Sequence, residues 1–222
     1  MATNLYLIRH GEAVSNVEPF VMGGMKGCRG LTERGIAQVR LLARRLSSGE
    51  IPADVLYAST LPRARQTAEA VAEALGLPIH WDDDLQELRP GDADGMTYTE
   101  ARQRFESMQL FLKRFFTPIA TGGESWGAFV ARASSALERI ISRHQGQHIV
   151  VVCHGGIIEA SFLHLLQLGP HVRGRAAFHV RNTAITHWRQ VETQDERQEW
   201  QLIAHNDHWH LHELERDTGH RA

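Results

Sequence analysis

Leu5-Tyr6-Leu7-Ile8-Arg9-His10-Gly11 sets an apolar run directly before an arginine, a histidine and a glycine. Such a run reads as a buried strand, and its end places Arg9 and His10 at the rim of a sheet. In open α/β sheets, ligands bind outside the carboxyl ends of the strands. A guanidinium beside a neutral imidazole suits phosphoryl chemistry: the arginine holds phosphoryl oxygens by parallel hydrogen bonds, and the imidazole attacks phosphorus. A chain with 24 Lys+Arg and 14 His produces Arg-His by chance, so the tripeptide gains its weight from a second stretch. Ile149-Val150-Val151-Val152-Cys153-His154-Gly155-Gly156 is again a strand that ends in a histidine, now followed by glycines and a helical pattern.

The 222 residues suffice for one α/β domain with a full core, and a single domain over 1–222 is expected. Apolar content of 42% and charged content of 23% are those of an ordinary globular protein. A net charge of −2 gives no electrostatic footprint for nucleic acid or an anionic membrane surface. No run of about 18 apolar residues exists to span a bilayer. The first ten residues lead straight into the candidate site, and a cleavable leader would remove it, so a cytoplasmic location is expected. Cys28 and Cys153 do not make a disulfide framework.

Strand and helix patterns alternate, which predicts a layered α/β fold with helices on both faces of a sheet. Strands are expected over 4–9, 54–58 and 148–153, with a closing set over 176–180, 184–190 and 200–204. A helix over 33–46 would turn Ile36, Val39, Ala43 and Leu46 to the core. Another from about Leu61 carries Ala64, Ala68, Val71 and Leu75 on one stripe and stops at Gly76 and Pro78. Thr97-Tyr98-Thr99-Glu100 reads as a capping box for a helix running to about Phe116. Gly122-Gly123-Glu124-Ser125 opens a further helix, with Val130, Ala133, Leu137 and Ile140 facing inward. The glycine-rich stretch 22–30 lacks the Gly-Lys-Ser/Thr of a P-loop and reads as a loop near the site. The polar tail from Asp217 is expected to fray.

Ser59-Thr60-Leu61-Pro62-Arg63-Ala64-Arg65 is the third informative segment. Ser59 or Thr60 can cap the helix, and Pro62 suits its first turn. Arg63 and Arg65 then oppose the helix dipole, a local cost expected at functional sites. A bound anion reverses the sign, since the dipole and Arg63 both attract it. The competing reading is two solvated surface arginines.

With these segments in hand, the sequence resembles the histidine phosphatase superfamily, the group that includes phosphoglycerate mutase. Arg9-His10-Gly11-Glu12, Asn16, Leu31-Thr32-Glu33-Arg34-Gly35, Ser59 through Ala68, Leu85-Gln86-Glu87, Gly122 through Ser125 and His154-Gly155-Gly156 match its motifs in the family's order. The resemblance implies a three-layer sandwich with a central, mostly parallel sheet. It implies His10 as nucleophile and Glu87 as general acid and base. Arg9, Asn16, Arg63, His154 and Gly155 are implied as phosphate-binding residues, with no metal and no cofactor. Asp82, Asp83 and Asp84 stand close to Glu87 and read as a solvated turn. Arg65 matches no family role and reads as surface or an ion-pair partner. Two departures stand out: Cys28 where many members carry aspartate, and Cys153 where serine or threonine is common.

Phosphoglycerate mutases of the family carry a long insertion between the acid segment and the Gly-Glu-Ser segment. Here that stretch is short, and the tryptophan that mutases place after the loop glycine is missing around Gly23 and Gly24. Both features favour water as acceptor, hence a phosphomonoester hydrolase acting on a small phosphorylated metabolite. Mutase-type transfer and a protein phosphatase are the alternatives, and a non-catalytic phosphate-ligand binder is the remote one. Lys26, Arg29, Met108 and Phe115 are candidate specificity contacts. His208, His210 and His212 resemble a metal box on one side of an extended strand, but an exposed polar face is the preferred reading. Family members often form dimers, and a homodimer is the assembly the resemblance allows.

Overall fold

The apolar runs form β1 (Thr3–Arg9), β2 (Val55–Ser59), β4 (His148–Cys153) and β5 (Ile185–Glu192), joined by the more polar β3 (Ile79–Asp82) and β6 (Gln198–Asp207). The computed structural model describes residues 2–21, 23–110, 114–169, 172 and 175–214. Among them the strands make one sheet in the order β3-β2-β4-β1-β5-β6. β2 pairs in parallel with β3 and β4, and β4 in parallel with β1; the β1–β5 and β5–β6 pairings are antiparallel. Seven α-helices accompany it among the described residues: α1 (Val14–Val17), α2 (Glu33–Ser47), α3 (Pro62–Leu75), α4 (Tyr98–Arg104), α5 (Glu106–Leu110), α6 (Trp126–Arg143) and α7 (Gly155–Leu165).

Strand alternation splits the core into two layers. Tyr6, Ile8, Leu56, Ala58, Val150 and Val152 pack with Leu42 and Leu46 of α2 and Ala64, Ala68 and Val71 of α3. Leu5, Leu7, Tyr57, Ile149 and Val151 pack with Phe129, Leu137 and Ile140 of α6 and Ile157 and Ile158 of α7. This is the expected three-layer, mostly parallel α/β architecture. No helix among the described residues is long and apolar enough to cross a membrane.

Several local expectations are corrected. The buried stripe of α2 is Gly35, Gln38, Val39, Leu42 and Leu46, while Ile36 is 42% exposed. Gly35 sets that rotation, because a Cβ there would collide with the Glu12 carbonyl. The backbone of that loop therefore lies against the face holding Gly35. Residues 177–180 form no strand; the Val180 carbonyl instead accepts a hydrogen bond from Arg9 Nη1 at 2.6 Å. The Thr97 capping box is present, but its helix stops at Phe105 and restarts as α5. Residues 111–113 on the way to Phe116, Met22 and the tail from Asp217 lie outside the described residues. β3 escaped prediction because Ile79-His80-Trp81-Asp82 has neither an apolar run nor a buried face. α3 is capped at Leu61 with no side-chain bond, not by Ser59 or Thr60.

The corrected α2 face gives a stability test. Leu42→Ala should cost about 2–5 kcal/mol in urea denaturation, because Leu42 is fully buried. Ile36→Ala should stay within about 1 kcal/mol of wild type. Equal costs at the two positions would contradict this packing.

Candidate active site

β2, β4 and β1 are neighbours, so their carboxyl ends meet at one rim. Arg9 pairs with Cys153 in register, which makes His10 and His154 the next residue out on adjacent strands. His10 N–H donates to the Cys153 carbonyl at 3.0 Å, and the two imidazoles lie 5.1 Å apart. On the other side of β4, β2 ends at Ser59 and α3 begins at Pro62. The first turn of α3 therefore delivers Arg63, 2% exposed, and its Nε donates to His10 Nε2 at 3.1 Å. Of the two first-turn arginines, Arg63 is in the site and Arg65 is not. Arg65 lies over the Trp81 ring, 4.3 Å from its centroid.

The hydrogen bonds fix the state of His10. Its Nδ1 sits 2.7 Å from the Gly11 carbonyl, which can only accept, so Nδ1 carries the hydrogen. Nε2 is then the bare nitrogen, and the Arg63 bond confirms it as acceptor. Burial, and then the charges of Arg63 and Arg9, hold His10 well below the ordinary imidazole pKa, against a smaller upward pull from the Gly11 carbonyl. His154 is depressed in the same way, by burial first and then by Arg63, His10, Arg9 and Arg132. Its Nε2 lies 2.7 Å from Ser59 Oγ, which also accepts from Leu61 N–H. Nδ1 of His154 and Nε of Arg9 are buried without a hydrogen-bond partner among the described residues. The Arg9 Nε–H, a donor orphaned in this way, fits an oxygen-rich anion.

Glu87 reaches the rim from the loop after the 3-10 turn at Asp83–Leu85. Its Oε1 accepts from Leu88 N–H at 2.9 Å and its Oε2 from Gly156 N–H, in the first turn of α7, at 3.0 Å. A Cβ on Gly156 would collide with Oε1 and press on the Phe129 ring, so glycine is required for this approach. Arg132 of α6 holds the loop by donating to the Asp84, Gln86 and Glu87 carbonyls and to the Glu124 carboxylate. The aspartates before Glu87 are structural: Asp82 and Asp84 pair with Arg139, and Asp83 accepts from Thr60 Oγ1.

Asn16 lines the same cleft as Arg9, His10, Arg63 and Glu87, a space of about 270 Å³. Its Oδ1 accepts from Ala13 N–H and Asn182 Nδ2. Gly155 opens α7 beside Arg9. Sequence reading missed Asn182, which also donates to the His10 carbonyl at 3.0 Å, and Thr67, whose Oγ1 accepts from Gly11 N–H. It also missed Ser59 as the partner of His154, and Arg132. All four act through contacts distant in sequence. The suggested specificity contacts Lys26, Arg29, Met108 and Phe115 do not line the cleft. The histidine-rich segment does not stay extended, because residues 209–211 form a 3-10 turn. His210 turns inward to Thr183 Oγ1 at 3.0 Å, His212 stacks on Trp209, and the three histidines do not share a side.

Two buried neutral histidines make the fold acid-sensitive. Their folded pKa values lie below the ordinary value near 6.5 of the unfolded chain, so only the unfolded state gains protons as pH falls through that range. Stability should be level above about pH 7.5. It should fall by up to roughly 2 kcal/mol per histidine by pH 5. His10→Gln should remove part of that slope in urea denaturation at pH 7.5, 6 and 5, and an unchanged slope would count against the buried neutral imidazole.

The sequence profile of the histidine phosphatase superfamily (branch 1) matches residues 5–208. The chain is 37% identical over 161 residues to phosphoglycerate mutase-like protein 4 of Arabidopsis thaliana, covering 71% of this chain and 69% of that one. It is 32% identical over 168 residues to the metal-independent phosphoserine phosphatase of the same plant, covering 74% and 69%. A crystal structure of a histidine-to-alanine variant of Entamoeba histolytica phosphoserine phosphatase, in complex with phosphoserine, superposes with a TM-score of 0.76 at 27% identity. That superposition covers 94% of this chain and 99% of the other. With its profile spanning nearly the whole described chain and its rim holding two histidines, two arginines and a carboxylate, this protein is an enzyme of the histidine phosphatase superfamily, branch 1.

Proposed function

We propose that the protein is a metal-independent phosphomonoester hydrolase that works through a phosphohistidine on His10 and acts on a small phosphorylated metabolite. The observation that carries this reading is the tautomer of His10, whose bare Nε2 is oriented by the Nδ1 bond to the Gly11 carbonyl and lies beside a buried guanidinium. A neutral, pre-oriented imidazole is what an in-line attack on phosphorus requires.

In the first step the bond from Nε2 to phosphorus forms as the ester P–O bond breaks. Arg63 transfers its donor from the ring nitrogen to a phosphoryl oxygen. Arg9, Asn16, His154 and the Gly155 end of α7 complete the cradle. These groups supply the charge and donors that a metal supplies elsewhere, so no metal or cofactor takes part. Glu87, in its acid form, protonates the departing oxygen. In the second step Glu87 takes a proton from water, the water oxygen bonds to phosphorus, and the N–P bond breaks to release phosphate. The segment between Glu87 and Gly123 carries only the short helices α4 and α5 among the described residues, which supports water as acceptor over a second phosphorylated metabolite.

Two variants separate the steps. His10→Ala should lower phosphate release at least about a thousandfold, with no loss of wild-type rate in chelator. Glu87→Gln should slow alkyl phosphates about 100-fold or more but p-nitrophenyl phosphate much less, because nitrophenolate leaves without a proton. Rapid quench of the wild type should trap an acid-labile phosphohistidine on His10. Release that survives His10→Ala, or that chelator abolishes, would overturn the mechanism.

A further inference from the structure

The cleft has two unlike halves. Arg9, His10, Ser15, Asn16, Arg63 and Glu87 are its polar lining, and the remainder is mostly apolar, with Phe20, Val21, Leu88, Tyr98, Ile119 and Trp126 beside Gly23 and Pro90. The apolar half is built rather than incidental. Phe20 bridges to Thr97 in an antiparallel contact. Val21 N–H donates to the Met96 carbonyl at 2.8 Å, and Tyr98 N–H donates to the Pro19 carbonyl at 3.0 Å. These bonds bring two chain segments together and set Phe20 and Tyr98 on one rim. The Thr97–Glu100 capping box then fixes Tyr98 as the first residue of α4. The Arg29 guanidinium lies 5.1 Å from the Phe20 ring centroid and is itself paired with Glu18. Beneath the rim, Trp126 and Ile119 are nearly buried and make a floor.

Tyr98 remains 46% exposed at this rim, and with the half-buried Phe20 it presents an aromatic edge that lines the cleft. The charges point the same way. The cleft's charged lining among the described residues is Arg9, Arg63 and Glu87. Both arginines are turned to the polar end, Arg9 on the Val180 carbonyl and Arg63 on His10. A carboxylate on the body of the substrate would find no cation beyond the two held at the polar end and would lie against an apolar wall.

We infer that the leaving group is an uncharged alcohol with a flat aromatic or apolar body, which packs between Phe20 and Tyr98 over the Trp126 floor. This rests on the hydrolase reading above and narrows its substrate class. It sets the chain apart from relatives that handle phosphoserine, whose body carries both a carboxylate and an ammonium group.

The test compares alkyl phosphates, so that leaving-group acidity does not decide the result. The series is 2-phenylethyl phosphate, glycerol 1-phosphate, phosphoserine and 3-phosphoglycerate. 2-Phenylethyl phosphate should exceed the carboxylate-bearing esters at least about tenfold in kcat/KM. Tyr98→Ala should shrink that ratio severalfold, and Tyr98→Phe should keep it. A preference for phosphoserine or 3-phosphoglycerate, or an equal loss on every ester in Tyr98→Ala, overturns the inference. Binding of 2-phenylethylphosphonate against 3-phosphonopropionate, measured by calorimetry, judges the wall without turnover. Should no ester be hydrolysed, the hydrolase reading fails, and tighter aryl phosphonate binding still supports the wall. Equal or reversed binding overturns the wall even where hydrolysis occurs.

Discussion

The contact between Arg63 Nε and His10 Nε2 organises this rim. An imidazole that is 3% exposed beside a buried guanidinium cannot also be a cation without heavy cost. It survives there as a neutral acceptor, and the Gly11 carbonyl decides which nitrogen is bare. The rest of the rim follows from keeping that geometry. Gly11 must stay tight against the start of α2, since a Cβ would press on the Gly35 carbonyl and Val39. Its N–H is held by Thr67 of α3, the helix that also carries Arg63. One helix therefore fixes both the backbone that orients the ring and the guanidinium that meets it.

Glu87 is held by a different device. Its loop has little regular structure, so it is tied down by Arg132, which spans three loop carbonyls and the Glu124 carboxylate. Burial alone would raise the Glu124 pKa, but hydrogen bonds from Arg132 and from Arg89 N–H, with their charges, bring it below its ordinary value. A partly buried ion pair of this kind is weak as a source of stability. Its value here is positional, because Glu124 starts the segment that caps α6 while Arg132 lies two turns along it. The acid's loop is thereby registered to the same helix that packs against α7 and its Gly156 N–H. Glu87 and His154 are placed relative to one another through α6 and α7, with no direct bond between them.

The fold was legible because its strands are apolar runs with sharp ends. β1 and β4 announce themselves, and each ends one residue before a rim histidine. Arg63 was legible because a cation in the first turn of a helix violates a local preference. The misses share a cause. β3 has no buried face to create a periodic signal, and the rotation of α2 is set by a loop contact at Gly35 that no periodicity encodes. Asn182, Thr67, Ser59 and Arg132 reach the rim across 172, 56, 95 and 45 residues of chain respectively, and ordinary polar residues at such separations carry no spacing to read. The specificity contacts went wrong for a related reason. Position within a loop was visible, but which side chains the loop turns to the cleft depends on the bridge between Phe20 and Thr97.

Cys28 shows how a single departure can act through the central contact. Its Sγ lies 3.3 Å from Arg63 Nη1, at a place where many members of the family carry aspartate. A carboxylate there would form a charge-assisted pair and satisfy part of the guanidinium before any ligand arrived. A thiol is a weak acceptor. It shapes the loop around Arg63 while leaving the cationic charge nearly uncompensated. That charge has two consequences at once: it adds to burial in keeping His10 neutral in the free enzyme, and it is available to a phosphoryl oxygen when one enters. A thiol in place of a carboxylate therefore acts on the rim through one atom pair, by way of the Arg63 guanidinium and not through the sheet or the residue that attacks.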